Sequence, residues 1–308
     1  MADKLDLTDL PVSPSQGGVA ITLDAFEVPL PQPGQLAAIA MITHREGASY
    51  RPLGAAMTLD IAGNLRGQLS GGCIDADIEI HLRNAVKSTQ ARTLRYGTGS
   101  PFHDLVLPCG GALEVTVYPA PEHKVQDALC TAIRTRKTVT LHATPADLRV
   151  EASAENLLAL TLQPDPRFAV FGAGPEAEAF ARLAAASGYK VRLASPEPAA
   201  FVAVDTVALS SSDPLAGMDI DARTAIVTFF HDHDREIPIL RDAIRSKAFF
   251  IGAQGSQRTA RNRQVQLEAL GCAPRDIARI RGPVGLIERA RNPRVLAVSV
   301  LAEALSAA

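Results

Sequence analysis

Apolar positions in this chain change their period as the chain proceeds, and the changes mark out its elements. Residues 36–43 (LAAIAMIT) form a short unbroken apolar run, the pattern of a buried strand. Residues 55–61 predict a second strand, and Ala62-Gly63-Asn64 turns it into residues 65–69 as a hairpin partner. At Ile74 the period lengthens. Ile74, Ile78, Leu82 and Ala85/Val86 recur at helical spacing, so a helix is expected over 74–88. Residues 91–96 and 113–118 read as further strands, 122–136 as a helix, and 138–142, 148–152 and 157–163 as short strands. Pro164-Asp165-Pro166 then stops both helix and central strand, and is the clearest boundary in the chain.

Beyond that boundary strands and helices alternate. Strands are expected at 167–171, 189–194, 224–229 and 248–251, with an alanine-rich helix at 175–187 and another helix at 237–246. Asn292-Pro293 supplies an N-cap and a first-turn proline for the last helix. Such alternation implies a parallel sheet with right-handed crossovers. The expected fold is therefore α/β: an N-terminal mixed α+β domain followed by a C-terminal Rossmann-like parallel-sheet domain. The expected limits are a flexible tail over 1–20, the first domain over 21–120, a connecting helix and short strands over 121–165, and the Rossmann-like domain over 166–308.

Composition narrows the classes of function. The 308 residues carry 31 basic and 33 acidic side chains, a net charge of -2, so nothing draws the chain generally to nucleic acid or anionic membranes. There is no tryptophan on which bases could stack. The four cysteines show no CxxC spacing, which argues against a structural zinc site. No basic and apolar leader opens the sequence and no run is long enough to span a bilayer, so a cytoplasmic protein with reduced thiols is expected.

The chemistry-bearing segments are glycine turns. In Gly71-Gly72-Cys73 two glycines run into a cysteine at the start of a helix. Glycines let backbone approach a ligand, and a helix N-terminus favours a thiolate or an anion. The plain alternative is a tight turn with a space-filling cysteine. Cys109-Gly110-Gly111 repeats the association before a strand, whereas Cys130, on an apolar helix face, and Cys272, in a polar turn, lack it. Arg45 and Arg51 lie in a polar loop where they can hold anionic oxygens.

In the second half, Gly172-Ala173-Gly174-Pro175-Glu176-Ala177 has the GxGxxA form between a strand and a helix, the setting of a dinucleotide turn. The next strand ends in Ser195 where an acid would grip ribose hydroxyls, which weakens NAD. Ser195 with Arg192 is an alternative holder of a 2′-phosphate. His231-Asp232-His233-Asp234 follows a strand, where His231 and His233 can shuttle protons or bind metal, or Asp234 can cap the next helix. Ser256, after Gly252 and Gly255, can cap a helix or face a phosphate with Arg258 and Arg261 nearby.

Together the segments REGASYRPLGAAM, GQLSGGCID, PCGGALEV, FAVFGAGPEA, FFHDHD, FIGAQGSQRTARNR, and GPVGL with NPRVLAVSVLAEAL resemble the xanthine dehydrogenase accessory factor (XdhC/CoxI) family, in order and from about residue 36 onward. Departures are Ser195, Phe230 before His231, and Ile287-Glu288-Arg289-Ala290 in place of a more glycine-rich run. The resemblance implies a maturation chaperone rather than a catalyst. Such a protein binds the molybdenum cofactor (molybdopterin, with or without an attached nucleotide), supports its sulfuration with a cysteine desulfurase, and delivers it to an apo molybdenum hydroxylase. It also implies that Cys73 and Cys109 contact the molybdenum through the bound cofactor. Gly71, Gly72, Gly110, Gly111, Arg45, Arg51, Gly172, Gly174, His231, His233 and Ser256 complete the candidate cofactor-binding set. A homodimer is expected, and no nucleic acid or membrane partner. The competing reading is an NAD(P)-dependent oxidoreductase built on the GxGxxA turn.

Overall fold

The computed structural model describes residues 18–32, 34–47, 49, 51–72, 74–100, 111–155, 157–200, 204–230 and 233–308. The chain divides into two compact units, Met1–Pro164 and Asp165–Ala308.

The first unit runs, in order, through β1 (Val19–Leu23), β2 (Leu36–Glu46), β3 (Ala56–Asp60), β4 (Leu65–Arg66), α1 (Asp75–Ser88), β5 (Arg92–Gly97), β6 (Ala112–Pro119), α2 (His123–Thr135), β7 (Val139–Ala143), β8 (Leu148–Arg149) and β9 (Leu158–Pro164). An antiparallel sheet has the order β4-β3-β2-β6-β5, and a second sheet the order β1-β9-β7-β8. In β9, Leu158, Leu160 and Leu162 are buried while the residues between them are half-buried, the two-residue period of a strand with one face on a core. On α1 the same core takes Ile78, Leu82 and Ala85 at helical spacing and leaves Val86 exposed. Gly54 sits where the sheets approach. Its φ is 86°, and a Cβ there would overlap the Leu160 side chain.

The expected hairpin strand over 65–69 stops at Arg66. The amides of Leu69 and Ser70 turn instead to the Asp75 carboxylate. The tail expected over 1–20 lies outside the described residues up to residue 17, and Val19 already pairs with Leu160 in the parallel β1–β9 ladder.

The second unit contains β10 (Arg167–Gly172), α3 (Pro175–Ala186), β11 (Lys190–Ser195), β12 (Thr206–Ala208), β13 (Thr224–Phe229), α4 (His233–Ala243), β14 (Phe250–Ala253), α5 (Gln257–Ala269), α6 (Pro274–Ile277), β15 (Ile280–Arg281) and α7 (Pro293–Ser306). Its six strands are parallel in the order β12-β11-β10-β13-β14-β15, so the order reverses between β10 and β13. This is the doubly wound arrangement expected from the alternation of elements. Every residue of β13 is buried, because helices cover both faces. Phe168, Phe180 and Val300 belong to the core on one face, and Phe171, Leu240 and Leu267 to that on the other.

Three expectations are corrected here. The helix expected over 237–246 begins at His233 and ends at Ala243, so Asp234 lies in its first turn rather than serving as its cap. The strand expected over 248–251 begins at Phe250. The Arg279 guanidinium explains the delay, since it donates to the carbonyls of Ile244, Ser246 and Ala248 and keeps that segment as a loop. Cys272 lies in the turn between α5 and α6 as expected, but it is buried in the core rather than in polar surroundings, its amide closing the end of α5 on Leu267.

Candidate functional site

The glycine turn ahead of α1 is organised by a carboxylate. Asp75 accepts the amides of Leu69 and Ser70 on Oδ1, at 2.9 and 3.0 Å, and that of Gly72 on Oδ2 at 3.1 Å. Ser70 Oγ accepts the amides of Gly72 and Ile74. Leu69 and Ile74 are buried on either side, yet nothing lies within 4 Å of a Cβ built on Gly71 or Gly72. These two glycines therefore leave backbone open instead of making room for the core, and the φ of 104° at Gly72 favours glycine.

A second tie brings this turn to one end of the sheet. Tyr96, fully buried, donates to Asp77 Oδ2 at 2.6 Å. Burial, reinforced by the Asp77 carboxylate, holds the Tyr96 hydroxyl far above the usual tyrosine range. Tyr96 pairs with Leu113, two residues past Gly111, while Arg45 and Glu46 pair with Leu113 and Ala112 from the other side. Gly47 completes the approach: its Cβ would stand 3.4 Å from Gly111 Cα. Gly71, Gly72, Arg45 and Gly111, dispersed in sequence, thus share one end of the first sheet.

That end is charged. Arg95 bonds Glu46 at 2.9 and 3.0 Å and Glu114 at 2.9 Å, and its hydrogen bonds hold the Glu46 carboxyl below the usual range. Arg45 is exposed and makes no ion pair among the described residues. Arg51 is half-buried with its Nε lacking a hydrogen-bond partner. Cys73, Cys109 and Gly110 lie outside the described residues, so their part in this end stays an expectation.

In the second unit, Gly172 is required by packing. A Cβ there would stand 2.8 Å from both Ala177 Cβ and the Phe229 carbonyl oxygen, so glycine lets α3 close onto β13. Gly174 has φ 134° and precedes an α3 whose first turn carries Glu176 and Glu178. Two carboxylates at the positive end of a helix oppose a further anion there. Ser195 is fully buried, and its hydroxyl accepts the Glu197 amide at 3.2 Å. Arg192 is tied to Asp205 at 2.8 Å and to the Gly217 carbonyl at 2.7 Å. Both groups are thus engaged within the fold, which counts against the alternative in which Ser195 and Arg192 clamp a 2′-phosphate.

His231 lies outside the described residues; the backbone of His233 opens α4, and its side chain is likewise outside them. Ser256 is the N-cap of α5, accepting the Thr259 amide at 3.1 Å. It also lines a cavity of about 850 Å³ over the carboxyl ends of β13, β14 and β15, with Phe230, Gln254 and Pro283. Ligands bind at this edge in open α/β sheets. Arg263 and Glu236 form a buried ion pair at 2.9 Å. Thr228 donates to Glu236 at 2.6 Å, and Arg263 donates to the Gln254 carbonyl at 2.8 Å. The pair thus fastens the start of α4 to the loop entering α5.

No sequence pattern singles out Gln254, Glu236, Arg263 or the role of Asp75 as an acceptor. Only their neighbourhood in GQLSGGCID, FFHDHD and FIGAQGSQRTARNR points that way. Among the described residues no group of three or more His, Cys, Asp or Glu side chains can hold a metal ion, and no helix is long and apolar enough to cross a membrane.

Known proteins match this arrangement along nearly the whole chain. Residues 31–97 match the XdhC and CoxI family, and residues 168–304 match the XdhC Rossmann domain. The chain is 33% identical over 300 residues to the molybdenum cofactor insertion chaperone PaoD of Escherichia coli (strain K12), covering 92% of this chain and 87% of that one. It is 25% identical over 315 residues to a probable xanthine dehydrogenase subunit of Bacillus subtilis (strain 168), covering 87% and 92%. The crystal structure of a xanthine dehydrogenase from Bacillus halodurans superposes with a TM-score of 0.68, at 23% identity, over 89% of this chain and 92% of the other, and shares the fold. With both units matched in order and a relative of 33% identity over most of its length, the chain belongs to the XdhC and CoxI family.

Proposed function

We propose that this protein is a molybdenum cofactor chaperone. It binds the cofactor, shelters it while a cysteine desulfurase sulfurates it, and passes it to an apo molybdenum hydroxylase. The observation that carries the reading is the 33% identity, over 92% of the chain, to a molybdenum cofactor insertion chaperone. The geometry of the first unit agrees with such a cargo. Open backbone at Gly71 and Gly72, and the exposed cation of Arg45, suit anionic oxygens. Cys73 and Cys109 supply thiolates for a thiophilic metal. In this reading the protein carries its ligand rather than turning it over, and it works as a cytoplasmic homodimer.

The test is expression with molybdate, followed by measurement of molybdenum and pterin per chain after gel filtration. Near-stoichiometric cofactor is expected, with a marked loss in Cys73→Ala and in Cys109→Ala. Wild-type protein free of cofactor would refute the carrier reading, and full retention in both variants would refute the thiolate role. The GxGxxA turn keeps an NAD(P)-dependent oxidoreductase as the competing reading, but the acids of α3 and the inward Ser195 argue against it. Titration with NADH and NADPH decides: no saturable binding is expected at millimolar cofactor.

A further inference from the structure

The geometry points to a binding site for a phosphorylated heterocycle in the second unit, displaced from the GxGxxA turn. The site is the cavity of about 850 Å³ over β13, β14 and β15. Its size lies within the roughly 300–1,000 Å³ of small-molecule sites and far exceeds a lone phosphate. Neither Gly172 nor Gly174 lines it.

The polar groups of the cavity select the ligand. Arg289 and Arg291 line it, and neither makes an ion pair among the described residues; Glu288 is the one carboxylate in the lining. The amides of Gln257 and Arg258 precede the first intrahelical bond of α5, which runs from Ala260 to the Ser256 carbonyl. Two guanidinium groups and a helix N-terminus suit a phosphoryl group. Gln254 adds a donor. Its Oε1 is buried without a hydrogen-bond partner and out of a ligand's reach, so the amide nitrogen is the part of its head group left to meet an acceptor on a pterin or purine ring. Phe230, Val284 and Leu296 provide apolar wall for the ring.

The wall bearing the arginines is built in advance. Ser299, buried on α7, accepts the Leu286 amide on its carbonyl and the Ile287 amide on its hydroxyl, while Glu303 accepts the Gly285 amide. A Cβ at Gly285, where φ is 118°, would stand 2.5 Å from Ser299 Oγ. Arg289 itself holds a φ of 54°, unusual for a bulky residue. A preformed loop loses little freedom on binding.

The identity of the cargo, though not the site, rests on the chaperone reading. The shared chemistry has two sources: the phosphorylated pterin end of the cofactor, or a nucleotide. The experiment uses the full chain in equilibrium dialysis against guanosine monophosphate and against inorganic phosphate, alongside cofactor retention after growth with molybdate. Variants are Arg289→Ala with Arg291→Ala, and Gln254→Leu, each checked by thermal melting. The arginine variant is expected to weaken binding of guanosine monophosphate about tenfold or more, and Gln254→Leu about fivefold or more. Phosphate binding should fall only in the arginine variant. A parallel loss of retained pterin makes the cofactor the source; lost nucleotide binding with unchanged retention makes it a nucleotide. Nucleotide binding sensitive to these variants in a chain that carries no cofactor would uphold the site and refute the chaperone reading. Equal retention in all variants, with no saturable binding of either probe, would overturn the site while leaving the chaperone reading intact.

Discussion

Removing the guanidinium of Arg263 tests how the second unit fastens α4 to α5 and to the backbone of Gln254. The Arg263 side chain is 3% exposed and that of Glu236 is 0% exposed. Arg263 donates to Glu236 Oε2 through Nε and Nη2, at 3.0 and 2.9 Å, and through Nη2 to the Gln254 carbonyl. Arg263→Ala leaves a carboxylate in the interior with its cation gone. Breaking one side of such a pair costs about 3–5 kcal/mol, because the surviving charge keeps its desolvation penalty. For a unit of this size that is a fall in melting temperature of roughly 10 °C. Urea unfolding of the full chain, followed by circular dichroism, measures it. Replacing both partners, with Arg263→Met and Glu236→Leu, removes the stranded charge. Most of the loss should return, leaving about 1–2 kcal/mol for the orphaned Thr228 hydroxyl and Gln254 carbonyl. A single variant losing less than about 1 kcal/mol, or a double variant no better than the single, would refute the reasoning.

Three further outcomes are expected. Asp75→Ala deprives three amides of their acceptor and should cost about 1–3 kcal/mol in urea unfolding; Asp75→Asn, which can keep one accepting oxygen, should cost less. Gly172→Val forces α3 away from β13 and should cost about 1–3 kcal/mol, read as a lower urea midpoint, whereas Gly71→Ala, with open space around it, should be nearly neutral. Burial holds His81 below its ordinary 6.5, outweighing the nearby Asp77, and Arg92 adds to the lowering. The folded chain then binds this proton less readily than the unfolded one, so stability is full above 6.5 and declines as the pH falls below it. His81→Gln should flatten unfolding midpoints between 6.5 and 4.5, above the range where the lowered carboxyls of Glu46 and Asp60 begin to lose their contribution. Midpoints that decline equally in both proteins across that window would show the reasoning wrong.

Much of the second unit was legible before any coordinates. Residues 168–171 and 225–227 are unbroken apolar runs because both faces of a parallel sheet are covered, and GxGxxA follows the first of them. The helices α1 and α2 were legible by the spacing of their buried residues. α5 offered no such signal, since its two buried side chains are Leu267 and an arginine. β12 and β15 are too short, and too little buried, to show a period. α4 began earlier than its apolar pattern because its first turn is polar, carrying Asp234 and Glu236.

Local pattern therefore determined the classes of element, the break at Pro164, the doubly wound second unit and the glycine turns, since each depends on residues near one another in the chain. The tertiary structure decided what surrounds those turns. Pairing across β2, β5 and β6 brings Gly111 to Arg45 and ties the Gly71 turn to the same end through Asp77 and Tyr96. Parallel register sets Phe230, Gln254 and Pro283 side by side, and Ser299 props the loop that faces them. A lone glutamine or arginine carries no period to betray such neighbours. Its role arises only when burial removes water and leaves its hydrogen bonds to be met by the fold or by a ligand.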